Sequence, residues 1–176
     1  MTQKRPCGGC TACCTIFTVV ELSKARHTPC QHLCAGGCAI HDQPRPAVCT
    51  DFYCEWAEEG DWSDDLRPDK CGIIYVSQAR IDPHHKLIGG LMANPYAHHG
   101  RVNRKQIERL IRAGHVLLMV YENEEESEDH VFYDGTRYPA DMVDSVLRSL
   151  KVLKQKSVTK LKSFYENRST TGGKHE

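Results

Sequence analysis

HVLLMVY, residues 115–121, is apolar at every position after His115. A run without helical spacing reads as a central strand buried on both faces, which needs a layer of structure on each side of a sheet. Just before it, NRKQIERLIRAG (103–114) carries Ile107, Leu110 and Ile111 as a helical stripe. Asn103 fits the N-cap with Gln106 three residues on, and Gly114 the C-cap. HVFYDG (130–135) reads as the next strand, ending in a turn, with the acidic ENEEESED (122–129) as a solvated loop between. Further out, GIIYV (72–76) reads as a strand and KLIGGLM (86–92) as a weaker one, broken by two glycines. A long helix is expected from Pro139, with Val143, Val146, Leu147, Leu150 and Leu153 on one face. Lys151, Lys154, Lys156, Lys160 and Lys162 make its later part basic, the pattern of a solvated face. The expected class is α+β.

The chain has 176 residues and a formal net charge of zero, so no whole-chain field steers it toward nucleic acid or an anionic membrane. No apolar run reaches the length of a membrane-spanning helix. The basic start, MTQKRPCGGC, has no apolar stretch behind it and does not read as a signal peptide. A cytoplasmic location is therefore expected.

Cysteine use sets the chain apart. Ten are present, and nine lie between residues 7 and 54. In a reducing compartment such density reads as metal-binding or redox-active, whereas an exported chain would use it as a disulfide scaffold. Residues 1–71 form the expected cysteine-rich lobe, residues 72–168 the α+β layer with its C-terminal helix, and residues 169–176 a disordered tail. Within the lobe, TVVELSKARH (18–27) has a capping-box pattern, Thr18 with Glu21, and is expected to be helical with Leu22 and Ala25 facing inward. CQHLCAGGCAIHDQPRPAVC (30–49) is punctuated by Gly36-Gly37, Pro44 and Pro46 and reads as loop. A crosslink or a metal must supply what so small a core lacks.

CGGCTACC (7–14) packs four cysteines into eight residues. C-x2-C lets one tight turn aim two sulfurs at one metal, and the Gly8-Gly9 pair permits backbone that bulkier residues resist. Cys10–Cys13 repeats the gap, so three thiolates converge from one short loop. Cys14 breaks the pattern: adjacent side chains diverge, so Cys13 and Cys14 are expected to serve different metals or different atoms of one cluster. Partners are available among Cys30, Cys34, Cys38, Cys49 and Cys54.

CGGCTACC, followed by PCQHL and GGCAIHDQPRPAVCTDFYCEW, resembles the bacterial cysteine-cluster family with a zinc- or iron-chelating CxxCxxCC domain. The resemblance is specific over residues 7–56. It implies eight ligands, carried over by position: Cys7, Cys10, Cys13, Cys14, Cys30, Cys38, Cys49 and Cys54. The chain departs from the family pattern in its additional Cys34 and Cys71, in His41 where tyrosine is usual, and in a short loop between the two cysteine groups.

The cofactor expected is a 4Fe–4S cluster or Zn2+. The C-x2-C-x2-C run with a distant fourth cysteine tips the balance toward iron–sulfur, while ligand softness suits both. Function is expected to be metal or cluster binding, with the metal ion or cluster as the partner. The alternatives are a cluster-dependent oxidoreductase or modifying enzyme, and a zinc-stabilised interaction or nucleic-acid-binding module. Flagellin lysine methylases carry a related cysteine cluster, but no glycine-rich cofactor loop is present here. Cys7–Cys10 lacks the preceding strand of a thioredoxin-type motif. His84-His85 and His98-His99 read as exposed loop histidines, His32 and His41 as secondary ligand candidates, Arg45 as a group beside the sulfurs, and Trp56 and Trp62 as covers for the lobe.

Overall fold

A computed structural model describes residues 4–58, 61–122, 127–149 and 161–163. The chain is an α+β fold. Its elements are α1 (Ala12–Ile16), β1 (Leu33–Cys34), β2 (Gly37–Cys38), α2 (Ala47–Thr50), α3 (Glu55–Glu58), α4 (Pro68–Cys71), β3 (Ile73–Arg80), β4 (Lys86–Met92), α5 (Arg101–Arg112), β5 (Val116–Glu122), β6 (Ser127–Tyr133), α6 (Ala140–Ser149) and β7 (Leu161–Ser163).

β5, the run that opened the sequence reading, lies inside a mixed sheet of order β3-β4-β5-β6-β7. Hairpin pairs β3/β4 and β5/β6 are antiparallel. β4/β5 and β6/β7 are parallel, the first joined through α5. Both faces of β5 are covered, as a continuous apolar strand requires. Leu117, Met119 and Tyr121 join one cluster with Ile107, Leu110 and Ile111 of α5. Val116 and Leu118 join another with Val143 and Leu147 of α6. The first cluster also takes in Ala12, Ile16, Cys54, Trp56, Trp62 and Leu66, so the cysteine-rich half and the sheet share one core.

The structure corrects several expectations. The glycines of KLIGGLM do not weaken β4: a Cβ on Gly90 would stand 2.1 Å from Met119 Sδ and 3.1 Å from Ile73 Cγ2, so glycine makes room for core side chains. Asn103 is not an N-cap. Gly100 takes that position, and Asn103 lies inside α5, where it is 2 % exposed. Its Nδ2 donates to Cys71 O (2.8 Å) and Ala97 O (2.7 Å), while Oδ1 accepts from Tyr75 OH (3.2 Å). Gly114 ends α5 as expected, with φ +89°. Glu122 and Ser127–Asp129, expected in a loop, extend the β5/β6 hairpin. Leu161–Ser163 forms β7, so the basic segment is not one helix through Lys162. Leu150, Leu153, Lys151, Lys154, Lys156, Lys160 and the 169–176 tail lie outside the described residues.

TVVELSKARH is not a helix. It holds one 3-10 turn (Val20–Leu22) closed by a Val19/Lys24 bridge. Ala25 faces solvent, Leu22 is half-buried, and the buried residues are Val19 and Lys24. Two residues here, Ser23 and His27, adopt the left-handed region at φ 49° and 57°, which a helix excludes. No described helix is long and apolar enough to cross a membrane.

Candidate metal centre

The opening motif is a turn running into a helix. Cys10 N donates to Cys7 O (3.1 Å), and Gly8 at φ +56° supplies the left-handed residue the turn needs. Gly9 does not require it. α1 starts two residues after Cys10 and carries Cys13 and Cys14 on successive positions, about 100° apart around the axis. They therefore face different ways. Besides Cys14 next to it, Cys13 lies within electrostatic reach of Cys54, Cys10 and Cys7; Cys14 lies within reach of Cys38, Cys30 and Cys49. The reciprocal neighbours agree: Cys54 senses Cys7 and Cys10, and Cys49 senses Cys30 and Cys38. The eight thiols fall into two groups of four, split between the adjacent cysteines.

Each group is built by different means. In the first, Cys54 is 7 % exposed and belongs to the core, and Cys10 and Cys13 pack against it. Buried Glu55, next in sequence, accepts from Ser77 N (2.9 Å) on β3 and pairs with Lys86 at 3.7 Å, which latches α3 to the sheet edge. Arg5 donates to Trp62 O (2.7 Å), and Lys4 sits 3.7 Å over the Tyr53 ring, fixing the chain ahead of Cys7. Desolvation raises the pKa values of Cys13, Cys10 and Cys54. Against that, the N–H of Ala12 favours the Cys10 thiolate, and those of Ala57 and Trp56 favour that of Cys54.

The second group hangs on loops. Cys30 N donates to Cys14 O (2.9 Å), and Cys38 enters through the β1/β2 hairpin, where Leu33 pairs with Cys38. Cys49 lies on α2. Phe17 and Phe52 close the base of this excursion edge to face, centroids 4.6 Å apart. Between Val20 and Tyr53 only Lys24 and Gly37 are buried. Burial raises the Cys14 thiol to about 11, and Cys49 also lies above its ordinary value, with Arg45 opposing the shift. Arg45 thus takes the place beside the sulfurs that the sequence suggested.

All eight thiols border one cavity of about 910 Å³, together with Lys24, His32, His41, Arg45 and Trp56. Among the described residues no three His, Cys, Asp or Glu side chains converge as a single-ion shell. The donor set still fits a soft metal, because eight thiols and four cations, Lys4, Arg5, Lys24 and Arg45, line the cavity, against one exposed carboxylate on its wall, Asp42, and Asp69 beside Cys10.

Comparison of the chain with protein-family models, curated proteins and solved structures finds no match. The site is argued from its own residues. Cys34 Sγ donates to Gly37 O (3.3 Å) and stays out of both groups. Cys71 Sγ shares its one S–H between Leu66 O and Ile73 O, each at 3.4 Å; half-buried at the edge of the core, it lies within reach of Cys10 and Cys54, and desolvation raises it to about 11. Trp56 lines the cavity, whereas Trp62 packs against Tyr75 at 5.1 Å in the core.

One histidine of each pair departs from expectation, while His84 and His99 are exposed. His98 is 6 % exposed, its ring 4.3 Å from that of His130. His85 Nδ1 bonds Asp82 Oδ2 (2.6 Å) and its Nε2 meets Arg137 (2.9 Å), a clasp between the β3/β4 loop and the turn before α6. Sequence reasoning also missed Lys24 and Glu55. The only signal for either was a charge inside a segment with too few apolar residues to bury it alone.

Proposed function

We propose that the chain is a metal–thiolate protein. It binds an iron–sulfur cluster or zinc through CGGCTACC and the downstream cysteines Cys30, Cys38, Cys49 and Cys54. The observation that carries this reading is the split at Cys13 and Cys14: one step along α1 sends neighbouring thiols to two different sets of three partners. Core packing alone gives no reason for eight thiols to be shared out four and four. The first group combines C-x2-C-x2-C with a distant fourth cysteine, the ligand run of a 4Fe–4S cluster, and favours iron–sulfur there. The resemblance to the CxxCxxCC family and a cytoplasmic setting agree with this reading.

Anaerobic purification with metal analysis and an absorption spectrum tests it. A brown protein, bleached by oxygen and containing iron and sulfide, is the expected result. Colourless protein with stoichiometric zinc replaces iron–sulfur with zinc. Cys13→Ser and Cys14→Ser should each lose part of the metal; full metal content in both variants overturns the assignment of the opening motif.

A further inference from the structure

Resting on the metal–thiolate reading, we propose that Cys14, Cys30, Cys38 and Cys49 form a second, separate centre for a thiophilic metal, with Lys24 as its fixed counter-cation. Lys24 is 6 % exposed, beside buried Val19 and at the start of residues 20–53, which bury no apolar side chain. Its ammonium donates to Thr15 O (2.9 Å), Ala25 O (3.0 Å) and Phe17 O, which uses all three N–H bonds. Carbonyls satisfy those donors but bring no negative charge, and a buried charge needs an opposite one close by. The anionic groups within reach of Lys24 are Cys30, Cys14 and Cys49.

As neutral thiols these give the ammonium nothing. As thiolates on a metal they balance it, since metal binding displaces their protons. Four thiolates on a divalent cation leave two negative charges; Lys24 and Arg45, both lining the cavity, bring two positive ones, with Glu21 also within reach of Cys49.

The second centre is also the weaker. Three ligands of the first, Cys10, Cys13 and Cys54, are positioned by the core, with the Glu55 latch, before any metal arrives. Of the second only Cys14 is on α1; Cys30, Cys38 and Cys49 lie in the 20–53 stretch, whose lack of buried apolar side chains leaves its ordering to metal binding, which draws on the binding free energy. Loading is stepwise, the first centre before the second.

Cobalt(II), added anaerobically to the reduced metal-free chain and followed by its thiolate absorption bands, is the probe. Wild type should bind two equivalents, the second on the order of tenfold or more weakly. Cys49→Ser should lose the weak class alone and Cys54→Ser the tight one. Lys24→Met should weaken the weak class on the order of tenfold with the tight class unchanged, and Lys24→Arg should restore it. Arg45→Gln, a change at a half-buried side chain, should act in the same direction, and it decides the matter if Lys24→Met does not fold. A single class abolished by Cys49→Ser and Cys54→Ser alike overturns the inference, as does a folded Lys24→Met with unchanged cobalt binding. A wild-type chain that takes up no cobalt, iron or zinc instead overturns the metal–thiolate reading beneath it.

Discussion

Residues 20–53 and the sheet built by β3 to β6 are two halves of one chain held together by opposite means. The sheet buries its side chains on both faces: Ile73, Leu87, Met92, Leu117 and Met119 are wholly inaccessible to solvent. The 20–53 segment has one short hairpin, two small turns of helix and a buried cation. One half follows from the hydrophobic effect, whereas the other has nothing comparable and must obtain its order from a crosslink or a ligand. The lesson is that density of secondary structure tracks where the apolar surface is, and density of cysteine tracks where it is not.

The largest expected effect concerns that contrast directly. In the metal-free reduced chain, amides of residues 30–50 should exchange about a thousandfold faster than those of β4 and β5, as measured by hydrogen-exchange mass spectrometry. Equal protection in the two regions would break the comparison. Next, Leu117→Ala should cost about 3 kcal/mol in chemical denaturation, because it opens a cavity between β5 and α5. Leu22→Ala, at a half-buried lobe position, should stay below about 1 kcal/mol.

How far the two halves could be read in advance differs in the same way. β5 and α5 were legible because periodicity and burial agree there, so local pattern and tertiary demand coincide. The glycines of β4 were misread because their reason is Met119, a residue on the neighbouring strand that local pattern cannot place. In the lobe, Thr18 and Glu21 resemble a cap, yet the chain turns instead so that Lys24 can reach Thr15, Phe17 and Ala25. The divergence of Cys13 from Cys14 followed from adjacency alone. Which thiols join which did not, because that depends on the path of the loops between them.

A smaller effect tests the polar anchor of the sheet side. Asn103→Ala should cost about 2 kcal/mol, since it strands the Cys71 carbonyl and the Tyr75 hydroxyl and leaves Ala97 O with Gly100 N as its donor. Urea titration measures it, and a loss near zero would show that these groups find other partners.

The smallest effect lies at the His85 clasp. The His85 side-chain bond, aided by backbone N–H groups, holds Asp82 at about 2, below its ordinary 3.8. A depressed carboxyl stabilises the fold above its unfolded value, and that contribution disappears as pH falls from about 4 to about 2. Asp82→Asn should flatten the acid limb of the stability curve in this window and leave the lobe's metal content unchanged. An unaltered acid limb would remove the clasp from the stability of the β3/β4 loop.

The Phe17–Phe52 pair has a consequence for how such a chain can change length. Two aromatic rings meeting at the neck bring the ends of residues 18–51 together, and Arg26 and His27 tie the near part of this excursion to Glu122 and Tyr121 of β5. Ala35-Gly36, exposed at the tip of the β1/β2 hairpin, lies between its paired residues. Residues added there lengthen a loop whose closure cost grows only with the logarithm of its size, and they leave the register of every strand in the sheet untouched.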